Sequence, residues 1–355
     1  QSRSSAASDV YKRQAMGGDV GLDVTLPGAK SFLEKVSDAH LILVGDKPSI
    51  ERKLANEYPM ACDRITICHS EGHVAMDDSP FSALRNKRCS SMRLAIDLVE
   101  SRKAKAAVSA GNTGALIAIS KYVLKTLPGI ERPAIAKFLP GYKDKRVCAL
   151  DLGANSNCSP IHLLQFALLG SELKKATEPG SEPRIGLMNI GVERIKGNEI
   201  ARKAFELFEK TTRNDGFNFI GNVEGTDLFN GKADVIVCDG FVGNIMLKTM
   251  EGAMRFVNSM IKSEFNRNLP SKMVAGMAKP IFTRIKKELD PRYFNGANIL
   301  GLNGIIVKSH GSTDAFGFSY ALQETYQEAL NTDLDQLRQV VGESLARNSA
   351  FIEAT

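Results

Sequence analysis

Short apolar runs rich in β-branched residues alternate with amphipathic stretches along almost the whole chain. The strand-like runs are 40–44, 65–68, 105–109, 133–138, 146–150, 184–188, 217–221, 233–238 and 303–308. Between them, helical periodicity covers 28–37, 48–57, 80–103, 113–126, 159–174, 197–212, 241–267, 271–289, 313–330 and 333–350. Alternation of this kind predicts an α/β fold: a mostly parallel sheet with helices on both faces. In such sheets ligands bind at the carboxyl ends of the strands, so the strand-to-helix loops hold the functional candidates.

Two of these junctions carry glycines. One reads Ser109-Ala-Gly-Asn-Thr-Gly114, the other Asp239-Gly-Phe-Val-Gly-Asn244. Glycine lets a ligand approach the backbone, and the unpaired N–H groups of a helix start favour an anion. Neither loop is a dinucleotide or P-loop fingerprint. The spacing fits a tight turn as well as an anion cradle. Asn112 and Thr113 add an amide and a hydroxyl suited to an oxyanion. Asp239 ends a strand, placed either to act as a base or to cap the helix behind it. Asp151-Leu-Gly-Ala-Asn155 and Gly191-Val-Glu-Arg-Ile-Lys-Gly-Asn-Glu199 are expected as further polar tips on the same sheet edge. Lys196 in the latter suits an anion, or is a solvated surface lysine. His310, between a strand and a helix, is a proton donor or a hydrogen-bonded loop histidine.

Several classes are disfavoured. No Gly-x-Ser-x-Gly elbow occurs. His69 and His73 flank a misplaced Glu71, which makes a poor zinc motif, and no metal or cofactor is expected. The six cysteines form no Cys-x-x-Cys pair and suggest a reducing compartment. The net charge of +6 is too mild for a nucleic-acid signature. No run approaches a membrane span, and residues 1–14 lack the apolar core of a signal peptide.

Segment 272–289 is different. Met273, Met277, Ile281, Ile285 and Leu289 recur every four residues, and Val274 and Phe282 widen the stripe. Lys272, Lys279, Arg284, Lys286 and Lys287 make it basic. A helix of this type lies on anionic lipid, or docks on a core or a dimer partner. Pro280 is expected to kink it into two short helices.

Taken in order, AMGGD (15–19), SSMRLA (90–95), SAGNTGAL (109–116), RPAIA (132–136), LDLGAN (150–155), GLMNIGVERIKGNE (186–199), FIGNVEGTDLF (219–229), ADVIVCDGFVGNIMLKTMEG (233–252) and GIIVKSHGS (304–312) resemble one family. It is the bacterial phosphate acyltransferase of phospholipid synthesis. The resemblance implies a Rossmann-like three-layer α/β/α fold related to phosphate acetyltransferases. It implies that inorganic phosphate attacks a fatty acyl thioester on acyl carrier protein, giving acyl-phosphate for glycerol-3-phosphate acylation. It implies a cytoplasmic homodimer that sits peripherally on the inner face of the bacterial membrane through 271–289. The membrane glycerol-3-phosphate acyltransferase is a further candidate partner, and nucleic acid is not. The chain departs from the pattern at its start: residues 1–14 are polar, and Gln14 stands where the family has an aspartate ending an apolar strand.

On this reading 1–14 is a foreign or disordered tail and 15–355 one acyltransferase domain, with 241–290 a helical excursion toward dimer or membrane. Phosphate needs one cradle and the thioester oxyanion another, without a metal. Gly111, Asn112, Thr113 and Gly114 are assigned to one, Gly243 and Asn244 to the other, and Asp151 and Asn155 to substrate binding. Lys196, Asp239, His310 and Asn112 are the catalytic candidates. Met273, Val274, Met277, Ile281 and Phe282 are the membrane-facing ones. Arg85, Lys87, Arg88 and Arg93 are candidates for docking acidic acyl carrier protein. A short-chain acyl-CoA:phosphate transferase and a non-catalytic membrane scaffold are the alternatives.

Overall fold

A computed structural model describes residues 21–57, 63–141, 145–215, 217–349 and 352. The Ala-Met-Gly-Gly-Asp motif and the 1–14 segment lie outside them. An eight-stranded sheet has the order β3-β10-β9-β4-β5-β8-β6-β7, and a parallel pair, β1 (Leu41–Gly45) and β2 (Ile65–His69), stands beside it. The strands are β3 (Ala106–Ser109), β4 (Ala134–Pro140), β5 (Arg146–Leu150), β6 (Ile185–Met188), β7 (Phe219–Val223), β8 (Val235–Val237), β9 (Ala297–Leu300) and β10 (Ile305–Lys308).

Strand direction sets the architecture. β3 and β10 are parallel to each other, as are β5, β8, β6 and β7. Three antiparallel pairings, β10–β9, β9–β4 and β4–β5, join these two parallel blocks and reverse the direction between them. The expectation of a single carboxyl edge is therefore corrected. The two blocks point in opposite directions, yet they overlap by only a few residues. One register row, Val307–Asn298–Ala136–Leu150–Val237, crosses the seam. Leu150 and Val237 end their strands, and Val307 is one residue from the end of β10. The carboxyl ends of both blocks thus meet in the middle of the sheet.

Helices cover both faces. α6 (Pro160–Thr177), α7 (Glu199–Asp215) and α11 (Leu334–Arg347) pack on one face of β4, β5, β8 and β6 around Phe166, Leu164 and Phe208. α1 (Leu22–Lys35) and α10 (Ala315–Asn331) close a second core with Leu41, Val108 and Val307. α4 (Ser91–Glu100) and α5 (Thr113–Leu124) close a third, opposite it, with Val44 and Ile306. Each fully buried Leu or Phe contributes roughly 1.5–3 kcal/mol. β1 shares both of these last cores with β3, although no pairing joins the two among the described residues.

Boundaries differ from expectation where caps intervene. The run 80–103 is two helices, α3 (Pro80–Asn86) and α4, because Ser79 and Ser90 each cap a new start. β9 was not expected from the sequence at all. α8 (Gly240–Asn266) and α9 (Leu269–Leu289) form a hairpin in which the Phe265 and Phe282 rings meet edge-on at 4.7 Å. α9 runs on through Pro280 rather than breaking in two. Among the described residues no helix is long and apolar enough to cross a membrane.

Candidate active site

A cleft of about 470 Å³ opens where the two blocks meet. Thr113 lines it from the start of α5, Ile135 and Lys137 from β4, and Leu152 and Gly153 from the loop after β5. α8 contributes Asn244, Leu247, Lys248 and Glu251 from one face. The last residue of β10 adds Lys308, and the loop after it adds Ser309, His310 and Ser312. A second cavity of about 240 Å³ shares Lys137, Glu251, Asn295, His310 and Ser312 with it and extends toward Arg255 and Arg292.

His310 is held on three sides. Its backbone N–H donates to Asn295 Oδ1 at 2.9 Å. Its Nδ1 accepts the Ser312 amide at 3.3 Å and lies 3.1 Å from Ser312 Oγ, and its Nε2 lies 3.5 Å from Lys248 Nζ. Asn295 is buried and staples the loop: its Nδ2 donates to Ser309 Oγ at 2.9 Å and to the Gly317 carbonyl at 2.9 Å. Burial, and then the neighbouring Lys248, hold the imidazole below its ordinary pKa, so the neutral ring dominates at pH 7.

Lys137 occupies the middle of a central strand, between Ile135 and Leu139, which face the apolar core under α8. Burial pulls its pKa down, opposed by the carboxylate of Glu251 and more weakly by that of Glu324. Lys308 Nζ donates to the Ser309 carbonyl and reaches the Ala110 carbonyl at 3.5 Å. Lys248 pairs with Glu251 at 2.9 Å. Among the described residues three lysines stand against one glutamate on its walls, which makes the cleft electropositive, and the charges sit where water is partly excluded.

The expected site residues separate into two groups. Thr113, Asn244 and His310 line the same cleft. Asn112, Gly111, Gly114, Asp239, Asp151, Asn155 and Gly243 make contacts within the scaffold. Asn112 caps α5, accepting from the Ala115 amide at 3.0 Å, and its own amide donates to the Met76 and Asp78 carbonyls at 2.8 and 2.9 Å. The Gly111 amide donates to Ser109 Oγ at 3.2 Å. A Cβ on Gly114 would lie 3.0 Å from the Pro80 ring. Asp239 caps α8 through the Val242 amide at 2.8 Å.

Asp151 is corrected most sharply. Its buried carboxylate accepts the amides of Ile135, Gly153, Ala154 and Asn155 and the Asn155 side chain, all within 3.2 Å. Burial raises its pKa, and these bonds oppose the rise. A carboxylate so saturated is an internal anion that organises the loop, and it would repel phosphate. Asn155 spends its amide on Asp151 and on the Pro133 carbonyl at 2.8 Å. Gly243 is needed for close approach of α8 to the loop after β5.

Lys196 lies exposed on the loop after β6, tied to its neighbours through the Glu193 and Asn189 contacts, and does not line the cleft. Of the basic residues considered for docking, Lys87 pairs with Asp78 and Arg93 with Asp97, both at 2.7 Å, while Arg85 and Arg88 are exposed. Met273, Val274, Met277 and Ile281 are also exposed, and Phe282 is half-buried. The Ile285 and Leu289 side chains lie outside the described residues. No group of metal-ligating side chains gathers among the described residues. Burial pushes the Cys148 and Cys158 thiols up to about 12, which leaves them inert as nucleophiles.

Lys137, Lys248, Glu251, Lys308 and Asn295 were not singled out from the sequence. The signal for Lys137 was a lone charge inside an apolar strand run. For Lys248 and Glu251 it was their place four and seven residues after Asn244, on one helix face.

The comparisons agree with this architecture. A family described as "Fatty acid synthesis protein" matches residues 13–336. A phosphate acyltransferase of Neisseria meningitidis is 53% identical over 334 residues, covering 94% of this chain and 93% of its own. One from Chromobacterium violaceum is 51% identical over 315 residues, covering 89% and 90%. Among solved structures, a phosphotransacetylase from Streptococcus pyogenes superposes with TM-score 0.58 at 16% identity, covering 91% of this chain and 94% of its own. The EutD phosphotransacetylase from Staphylococcus aureus gives 0.56 at 15%, with the same coverage. These two share the fold. The extent and identity of the sequence matches, with the basic cleft at the seam, show that the chain belongs to the phosphate acyltransferase family of acyltransferase enzymes.

Proposed function

We propose that the chain transfers a fatty acyl group from acyl carrier protein to inorganic phosphate, giving acyl-phosphate for phospholipid synthesis. The observation that carries this reading is the convergence of Lys137, Lys248, Lys308 and His310 with Thr113 and Asn244 in one cleft. Phosphate binds among the lysines. One of its oxygens attacks the thioester carbonyl carbon, and the C–O bond forms as the carbonyl oxygen becomes an oxyanion. Cationic and amide donors already in place stabilise that charge without reorganising. The C–S bond then breaks. Hydrogen phosphate brings one proton and the departing thiolate needs one, so the step balances if a base relays it. His310, neutral at pH 7, takes the phosphate proton at its unprotonated ring nitrogen and returns it to sulfur.

Exposed Arg85 and Arg88 suit docking of an acidic carrier protein. The exposed apolar residues of α8, Phe241, Val242, Ile245, Phe256 and Val257, support a homodimer. Exposed Met273, Val274, Met277 and Ile281 beside Lys272 and Lys279 support peripheral contact with an anionic membrane, which in turn fits a cytoplasmic enzyme that passes its product to a membrane glycerol-3-phosphate acyltransferase.

The test is phosphate-dependent release of free acyl carrier protein from palmitoyl-acyl carrier protein, with acyl-phosphate trapped by hydroxylamine. Release is expected. Turnover confined to short acyl-CoA would replace this reading with a small-acyl transferase. No turnover on either thioester from folded protein that still binds vesicles would replace it with a scaffold.

A further inference from the structure

Lys248 and Glu251 lie one turn apart on α8, on the face that carries Asn244. The Glu251 side chain is only 7% exposed, and its Oε2 lies 2.9 Å from Lys248 Nζ. The same ammonium stands 3.5 Å from His310 Nε2. A continuous line, carboxylate to ammonium to imidazole, therefore spans the cleft from α8 to the β10–α10 loop. Lys248 is half exposed while its partner is buried. Its ammonium is thus anchored from behind and offered to the cleft in front.

We propose that Lys248, anchored by Glu251, is a positioning residue for His310 that keeps the imidazole neutral and ready to accept a proton. The inference rests on the reading of this cleft as the acyl-transfer centre. The reasoning is electrostatic. A second cation on the ring would face an ammonium already in contact, in a partly dehydrated cleft where such repulsion is poorly screened. The ring also faces Lys308 from its own strand end and Lys137 from β4. Arg255, and Arg292 with its partner Asp314, line the adjoining cavity. Among the described residues Glu251 is the one carboxylate lining the main cleft, and Lys248 stands between it and the ring. The low pKa of His310, caused by burial first and Lys248 next, agrees with this arrangement.

The two partners should act on His310 in opposite directions. Lys248→Met removes the cation and exposes the ring to Glu251, so the His310 pKa rises. Glu251→Gln removes the carboxylate, so the pKa falls further. Lys248→Arg keeps the charge and should leave the titration near that of the wild type. Ring NMR titration reads these shifts without any substrate, with His310→Asn assigning the signal. In parallel, the acid limb of kcat/KM for phosphate should move to higher pH in Lys248→Met, by on the order of one pH unit. At a pH below both limbs that is a roughly tenfold loss of rate. In Glu251→Gln the limb should move the other way. Unchanged titration in both variants, or shifts of the same sign, would overturn the proposal. Opposite shifts in a protein that shows no phosphate-dependent turnover would leave this coupling standing and remove the acyl-transfer reading instead. Lys248 is half exposed and Glu251 is replaced by its neutral isostere, so both variants are expected to fold, and circular dichroism checks that they do.

Discussion

A Cβ placed on Gly243 would lie 1.9 Å from the Asp151 carbonyl oxygen. The first turn of α8 is therefore pressed onto the loop after β5, and only glycine permits it. The cleft residues Asn244 and Lys248 follow directly on that helix.

Gly243→Ala is expected to push α8 away from β5. The overpacking cost should be about 1–3 kcal/mol, read as a lower urea midpoint. Activity should fall by more than that stability loss explains, because a shift of about 1 Å at a reacting centre costs on the order of a hundredfold in rate. An active Gly243→Ala enzyme with the wild-type midpoint would show that the contact is relaxed in solution.

Asp151→Ala removes one acceptor and strands at least four amides in a buried loop. Each unsatisfied donor costs about 1–3 kcal/mol, less where water enters. We expect a loss of at least 3 kcal/mol, measured by denaturant unfolding, and a chain that accumulates poorly. A phosphate-binding role alone would instead leave stability intact and raise the KM for phosphate.

Glu328 lies buried on α10, bonded to Thr332 Oγ1 at 2.6 Å and Asn298 Nδ2 at 3.2 Å. Burial lifts its pKa from 4.5 to about 7. In the unfolded chain the carboxyl ionises near its ordinary value, so between that value and 7 the folded state binds more proton. Stability then falls as pH rises through this window and levels off above it. The wild type should lose on the order of 3 kcal/mol between pH 4.5 and 8 from this group. Glu328→Gln should lack that component. Parallel stability–pH curves for the two proteins would refute it.

The exposed stripe on α9 predicts vesicle binding. Met277→Glu together with Ile281→Glu removes two apolar side chains, each contributing about 1.5–3 kcal/mol when buried. Co-sedimentation with anionic vesicles should drop at least tenfold. Turnover of soluble acyl-acyl carrier protein should be unchanged. Undiminished sedimentation would assign the stripe to a protein partner.

The fold class was legible because periodicity reports burial directly. Direction was not. An apolar run such as Ile135–Leu139 reads the same whether its neighbour is parallel or antiparallel, so the reversal at β4 and β9 stayed hidden. β9 itself, Ala297-Asn-Ile-Leu300, is four residues with a polar one inside, too short for any period to stand out. The site was half legible. His310 and Asn244 sit beside glycines at element ends, where function concentrates. Lys248 looks like any solvated helix lysine until the buried Glu251 and His310 are seen around it. Asp151 misled for the opposite reason: a polar loop tip in sequence is, in space, the buried knot of its own loop.

Because Thr113 and His310 come from one parallel block and Gly153 and Asn244 from the other, neither half of the sheet contains a working fragment of the centre. The cleft exists only as a joint. Loss of contact between the two halves is then expected to abolish turnover even where each half keeps its own core.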